Sequence, residues 1–181
     1  MAILDIISIP DKNLRKKIAP IERIDDELKQ LMDQMLETMY AAPGIGLAAV
    51  QVGVPRRLVT IDVVAKESTE ATGETIKEPM FLINPEILWR SDELGIYEEG
   101  CLSIPEYYAE VERPARIRFA YTDRDGVRHE RDADGILATC VQHEVDHLDG
   151  KLFIDHISKL KRDMVVKKFA KASKLGIKPV L

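Results

Sequence analysis

Cysteine is scarce in this chain: Cys101 and Cys140 are the only two among 181 residues. Two thiols cannot build a disulfide framework, which points to a reducing compartment where both stay free. Long apolar runs are also missing. None approaches the ~20 residues that a membrane span needs, so no membrane association is expected. The apolar start (Ile3, Leu4, Ile6, Ile7, Ile9) is interrupted by Asp5, ended by Pro10 and preceded by no basic region, so it does not read as an export signal. A cytoplasmic protein is the expectation. Internal repeats and low-complexity tracts are absent, which excludes solenoids and linkers. What remains is 45% hydrophobic and 31% charged, far from the composition of disordered chains. The length suits one domain spanning 1–181, and a monomer is expected.

The net charge of −5 is laid out unevenly. From residue 159 onward, Lys159, Lys161, Arg162, Lys167, Lys168, Lys171, Lys174 and Lys178 face only Asp163. The body is correspondingly acidic. Such a basic appendage is either a solvated helix face or an electrostatic handle for a polyanion.

Periodicity predicts a first helix opening at Asp25, Asp26 and Glu27, with Leu28, Leu31, Met32, Met35, Leu36 and Met39 as its buried stripe. Pro43 and Gly44 stop it, and the Pro-Gly-Ile-Gly run reads as a loop. Strands are predicted at about 57–63, 81–88, 109–113, 116–122 and 127–131, the last two joined as a hairpin across Asp123-Arg124-Asp125-Gly126. The polar stretch from about Ala65 to Pro79 reads as an exposed loop or loose hairpin. A second helix is predicted from about Gly135 to Asp149, ended by Gly150. A third, basic and amphipathic, covers about Ser158 to Leu175, with Leu160, Met164, Val165 and Phe169 facing inward. Strands gathered between helices without a β-α rhythm indicate α+β: mainly antiparallel sheets around a central helix, followed by the C-terminal helix.

That central helix carries His143-Glu144-Val145-Asp146-His147, an H-E-x-x-H pattern. At ~100° per residue, the two imidazoles point about 40° apart on one face. They lie next to the apolar arc of Ile136, Leu137, Val141 and Leu148. Glu144 enters the same arc, whereas Gln142, Asp146 and Asp149 are expected on the wet side. A buried carboxylate is costly alone. A neighbouring divalent ion would offset that cost and give Glu144 work as a general base.

A catalytic site of this kind usually has three protein ligands and an open position. Candidates for the third are Cys101, Cys140, Glu98, Glu99 and Asp155. Cys140 begins about two helical turns, roughly 10 Å, from His147, and reads as a buried wall residue. Cys101 follows Gly100 in a segment where backbone can approach closely, and a thiolate suits a borderline cation.

Three segments together resemble the peptide deformylase family: Gly44-Ile45-Gly46-Leu47-Ala48-Ala49-Val50-Gln51, then Glu99-Gly100-Cys101-Leu102-Ser103, then the H-E-x-x-H run. The resemblance covers roughly Ile9 to Ile157. It implies a metal-dependent hydrolase that removes the formyl group from the N-terminal formylmethionine of nascent polypeptides, releasing formate. It further implies metal ligation by Cys101, His143 and His147. Fe²⁺ is the family's usual ion, and Zn²⁺, Ni²⁺ or Co²⁺ can replace it. The catalytic groups implied are Glu144, the Gln51 side-chain amide and the Leu102 backbone N–H. Gly44, Ile45, Gly46 and Gly100 would form a peptide-binding rim, and Ile136, Thr139 and Cys140 a pocket for methionine. Without the motif, Gln51 reads as a surface residue.

The chain departs from the pattern at Tyr107-Tyr108, where many bacterial members carry arginine at the second position. Some bacterial members dock on the ribosome through a basic C-terminal helix, and the 158–181 segment fits that role. The rival enzyme reading is an H-E-x-x-H metallopeptidase, which expects a third His or Glu ligand downstream. The rival of another class is a metal-binding or ribosome-associated protein without turnover, which would need neither Glu144 nor Gln51.

Overall fold

A computed structural model describes residues 2–177; the end of the expected basic tail, 178–181, lies outside them. Helix α1 (Asp26–Ala41) starts where the Asp25 carboxylate accepts the Leu28 N–H, and it buries Leu28, Met32, Met35 and Met39. Strands β1 (Gly46–Ala48), β2 (Leu58–Ile61), β3 (Met80–Arg90), β6 (Arg116–Thr122) and β7 (Arg128–Asp134) form one antiparallel sheet in the order β1-β2-β3-β6-β7. Strands β4 (Leu94–Cys101) and β5 (Ile104–Pro114) form a separate two-stranded hairpin.

Period-2 alternation divides the sheet's two faces. Leu58 and Ile83 turn toward the α1 methionines, whereas Val59, Ile61 and Leu82 turn toward helix α3 (Gly135–Leu148) and its Val141, Val145 and Leu148. The other side of α3 meets the hairpin, so the helix is enclosed between the two sheets. A third cluster joins Ile104 and Val111 of β5 to Phe153, Ile154, Val165 and Phe169. Val165 and Phe169 belong to helix α4 (Lys159–Lys174), whose start is capped by Ser158.

Several expectations need correction. The stretch from 65 to 79 is not a loop throughout: helix α2 (Val63–Thr72) occupies its first half, with the Asp62 carboxylate accepting the Ala65 N–H. Strand β4 was unforeseen, and β5 begins five residues before the expected 109. Gly46 enters β1 rather than a loop. On α4 only Val165 and Phe169 are buried, while Leu160 and Met164 are 72% and 63% exposed. The helix docks along one edge, so the stripe that reaches the core is narrower than the sequence suggested. Gln142 is buried: its amide donates to Pro114 O and Ala138 O, because the hairpin covers the face expected to be wet.

Candidate metal centre

The hairpin, α3 and the turn between β1 and β2 send side chains to a common point. The hairpin contributes Cys101, the last residue of β4. Pairing shifts there from Gly100↔Tyr108 to Cys101↔Ile104, leaving Pro105, Glu106 and Tyr107 as a bulge with Glu106 at φ +60°. Such a bulge re-aims the adjoining side chain. Helix α3 contributes His143 and His147, their rings edge-on at 5.0 Å between centroids. One ligand atom each from Cys101, His143 and His147 lie within 4.8 Å of one another, and Sγ is 3.3 Å from His147 Nε2. A sulfur and two imidazole nitrogens this close are the donor set of a borderline divalent cation.

The 3-10 turn Ala49–Val52, between β1 and β2, contributes Gln51, which is 1% exposed. The surface placement expected without the motif is therefore wrong. Gln51 Oε1 accepts the Ala48 N–H at 2.8 Å, which fixes the amide so that Nε2 faces the site. Nε2 is 3.1 Å from Ser103 Oγ and 3.5 Å from Cys101 Sγ. The N-terminal segment joins these pieces: Ile7 N–H donates to Gln51 O and Ile9 N–H to Ser103 O.

Glu144 is buried, and its Oε2 has no hydrogen-bond partner among the described residues. Burial pushes its carboxyl up to about 7, although the neighbouring His143 pulls the other way. An unpartnered buried carboxylate beside a Cys/His/His cluster fits a site built around a cation and a polar substrate. Gly46 lets it sit there. A Cβ at Gly46 would overlap Glu144 Oε1 and come within 2.9 Å of Cys140 Sγ. Cys140 donates weakly to Ile45 O at 3.7 Å, and burial holds its thiol well above the ordinary range, so it is a neutral wall residue. Glu98, Glu99 and Asp155, the other candidate ligands, lie outside the trio.

The remaining expected residues rim the same place. Leu102 and Ser103 form the turn of the hairpin, and a Cβ on Gly44 would meet Leu102 Cδ1 at 2.8 Å. Gly100 lies under the ring of Tyr108, which is 65% exposed. Ile136 packs at the edge of the sheet-side core. Thr139 Oγ1 donates back to Gly135 O at 3.2 Å.

Behind His143, Arg113 and Asp146 went unforeseen as functional residues, and Glu99, a candidate third ligand, instead holds the far side of the imidazole. Its Nδ1 is 2.9 Å from Glu99 Oε2, and Glu99 takes a fork from Arg113, at 2.6 and 3.0 Å. Arg113 Nη1 donates at 2.8 Å to Asp146, expected on the wet side. Burial opposes the charges on Glu99 and Arg113, but their hydrogen bonds prevail, so Glu99 is held below its ordinary range and Arg113 above. The signal was in the alternation. Glu99 lies two residues before Cys101, and Arg113 two after the buried Val111, so both share the inward face of the hairpin. The imidazoles diverge. Burial opposes a proton on His143, yet Cys101 and Glu99 as acceptors raise it well above the ordinary value. Burial and the adjacent His143 hold His147 well below it.

The family model for polypeptide deformylase matches residues 3–163. The chain is 59% identical over 180 residues to a peptide deformylase of Rhodopseudomonas palustris (strain BisB18), covering 99% of this chain and 100% of the relative. It is 60% identical over 174 residues to one of Bradyrhizobium sp. (strain BTAi1 / ATCC BAA-1182), covering 96% and 98%. Among solved structures, a peptide deformylase from Legionella pneumophila is 40% identical, with a TM-score of 0.85 and coverage of 99% and 100%. One from Ehrlichia chaffeensis, in complex with actinonin, is 42% identical, with a TM-score of 0.85 and coverage of 94% and 98%.

Proposed function

The chain belongs to the peptide deformylase family, and on that premise we propose how its own residues divide the work. The activity is metal-dependent hydrolysis of the N-formyl group of nascent polypeptides. Cys101, His143 and His147 would hold the cation, Fe²⁺ in the cell, with Zn²⁺, Ni²⁺ or Co²⁺ able to take its place. When bound there, a divalent cation supplies Lewis acidity, which makes water easier to deprotonate and a carbonyl easier to attack.

Glu144 takes the proton of the attacking water. As the formyl carbon becomes tetrahedral, its oxygen gains charge, and Gln51 Nε2 and the Leu102 backbone N–H donate to it. Glu144 then passes its proton to the leaving amine nitrogen, and formate departs. The environment of Glu144 supports this two-way role: a carboxyl raised toward neutrality exchanges protons readily at physiological pH.

Among the described residues, strand β1 ends the five-stranded order and β4 pairs only with β5, so each offers an open edge beside the trio. An extended peptide lying along Gly44, Ile45, Gly46 and Gly100 would use these edges as an added strand. Its methionine would enter between Ile136, Thr139 and Cys140. Tyr108, over Gly100, would meet the residues further along. Residues 1–181 act as one catalytic unit, a monomer of the cytoplasm. No helix among the described residues is long and apolar enough to cross a membrane. The basic face of α4, with Leu160 and Met164 exposed beside its lysines, is read as a handle for ribosomal RNA. Charge reversal of Lys167, Lys168 and Lys171 should weaken salt-dependent cosedimentation with ribosomes, and unchanged cosedimentation would remove the idea.

The observation that carries the catalytic reading is the convergence of Cys101, His143 and His147 within 4.8 Å, beside an unpartnered buried Glu144. The experiment is formate release from formyl-Met-Ala, set against cleavage of an unformylated oligopeptide. Turnover of the first alone is expected, and cleavage of only the second would restore the metallopeptidase reading.

A further inference from the structure

The contacts behind His143 do not end at Arg113. Its Nη1 reaches Asp146 Oδ2, and Asp146 stands three residues after His143 on α3. The path His143–Glu99–Arg113–Asp146 therefore leaves the helix and returns to it one turn later. The same Oδ2 receives a second group: His156 Nε2 lies 2.8 Å from it and 3.5 Å from Arg113 Nη1. Guanidinium offers only donors and an ionised carboxylate only acceptors. The consistent assignment has Nε2 protonated and donating to Asp146.

Exposure falls steadily along the path, with side chains at 34% for His156, 18% for Asp146, 5% for Arg113 and 4% for Glu99. Water therefore competes for Asp146 only at the outer end. Without His156, the Asp146 carboxylate can turn toward solvent and leave Arg113 Nη1 buried with no acceptor, an arrangement the guanidinium relieves by shifting. Any shift moves the Glu99 fork, and with it the oxygen that orients His143. His156 is the last residue of the 3-10 turn Phe153–His156, whose Phe153 ring stacks on His143 at 5.9 Å and 22°. One short turn thus touches the same imidazole twice, once by packing and once through four hydrogen-bonded side chains.

We propose that His156 is a positioning residue for the metal centre: it clamps Asp146 against Arg113 so that Glu99 keeps His143 in its ligating orientation. The proposal rests on the reading of Cys101, His143 and His147 as ligands. Its test uses the full-length chain loaded with Co²⁺. Transfer of cobalt to excess chromogenic chelator is timed for the wild type, His156→Ala, His156→Gln, Asp146→Asn and the His156→Ala/Asp146→Asn double variant, while the cobalt–thiolate absorption is recorded.

Outer partners of metal-bound histidines are worth ten- to a hundredfold in affinity, so a group three hydrogen bonds further out should change release about threefold to tenfold. His156→Ala should release cobalt faster by that factor, with a lower kcat and unchanged KM for formyl-Met-Ala. His156→Gln, whose amide also donates, should recover to about twofold of wild type. The double variant should be no worse than Asp146→Asn alone. A wild-type release rate in His156→Ala would overturn the proposal, as would equal impairment of the Ala and Gln variants, which would mark a purely structural role. A wild type that binds cobalt without a thiolate band would instead contradict the ligand role of Cys101, so the two failures are distinguishable.

Discussion

His143 and His147 stand one helical turn apart in the same pentapeptide, yet α3 delivers them into unlike surroundings. Behind His143, nearly every polar atom is matched: Glu99, Arg113, Asp146 and His156 form a continuous hydrogen-bonded set. Around His147, Nδ1 has no partner among the described residues, and neither has the nearby Glu144 Oε2. One ligand is aimed by a charged network and the other by the rigidity of a buried helix. The difference separates holding from reacting. The saturated wall has no spare donor or acceptor for a substrate, whereas the unsatisfied wall keeps a carboxylate oxygen open where a proton must move.

Breaking the unsatisfied wall should have the largest effect and should leave the metal in place. Glu144→Ala is expected to lower formate release by about 10²–10⁴-fold while metal analysis still finds one ion per chain. A variant keeping more than about a tenth of wild-type turnover would place the proton on another group. Breaking the saturated wall should act on stability instead. Arg113→Ala strands the buried Glu99 carboxylate and should cost about 3–5 kcal/mol in urea unfolding of the metal-free protein. A loss below about 1 kcal/mol would mean that Glu99 is satisfied without its fork.

The smallest effect concerns acid. Burial works against the Asp146 charge, but hydrogen bonds from His156 and Arg113 bring the carboxyl down from 3.8 to about 2. A carboxylate depressed in the folded state stabilises above its unfolded value, and that contribution is lost as pH falls through the folded one. Metal-free protein should therefore lose about 2 kcal/mol between roughly pH 4 and pH 2 from this group. Asp146→Asn should flatten that part of the profile, and an unchanged slope would assign the acid sensitivity elsewhere.

Much of the reacting wall was legible in the sequence, because its logic is local. Helical spacing alone places His143, Glu144 and His147 on one buried arc. The holding wall was harder to read. Its members come from β4, β5, α3 and the turn after α3, and only the enclosure of α3 by the hairpin turns Gln142 and Asp146 inward. Helix α2 was missed because its valines, Val63 and Val64, sit at its start and the rest of it is mostly polar, although Asp62 three residues before Ala65 was a capping signal. Leu160 and Met164 were misplaced for the opposite reason: helical spacing is visible in sequence, but the width of the face that finds a partner is not.

At the centre of the molecule, a hairpin thiol meets two helix imidazoles where one ion would bind. X-ray absorption at the metal edge of the zinc-loaded protein tests this directly. One sulfur at about 2.3 Å and two imidazole nitrogens at about 2.0–2.1 Å are expected, with the sulfur shell lost in Cys101→Ser. A first shell of nitrogen and oxygen alone in the wild type would contradict it.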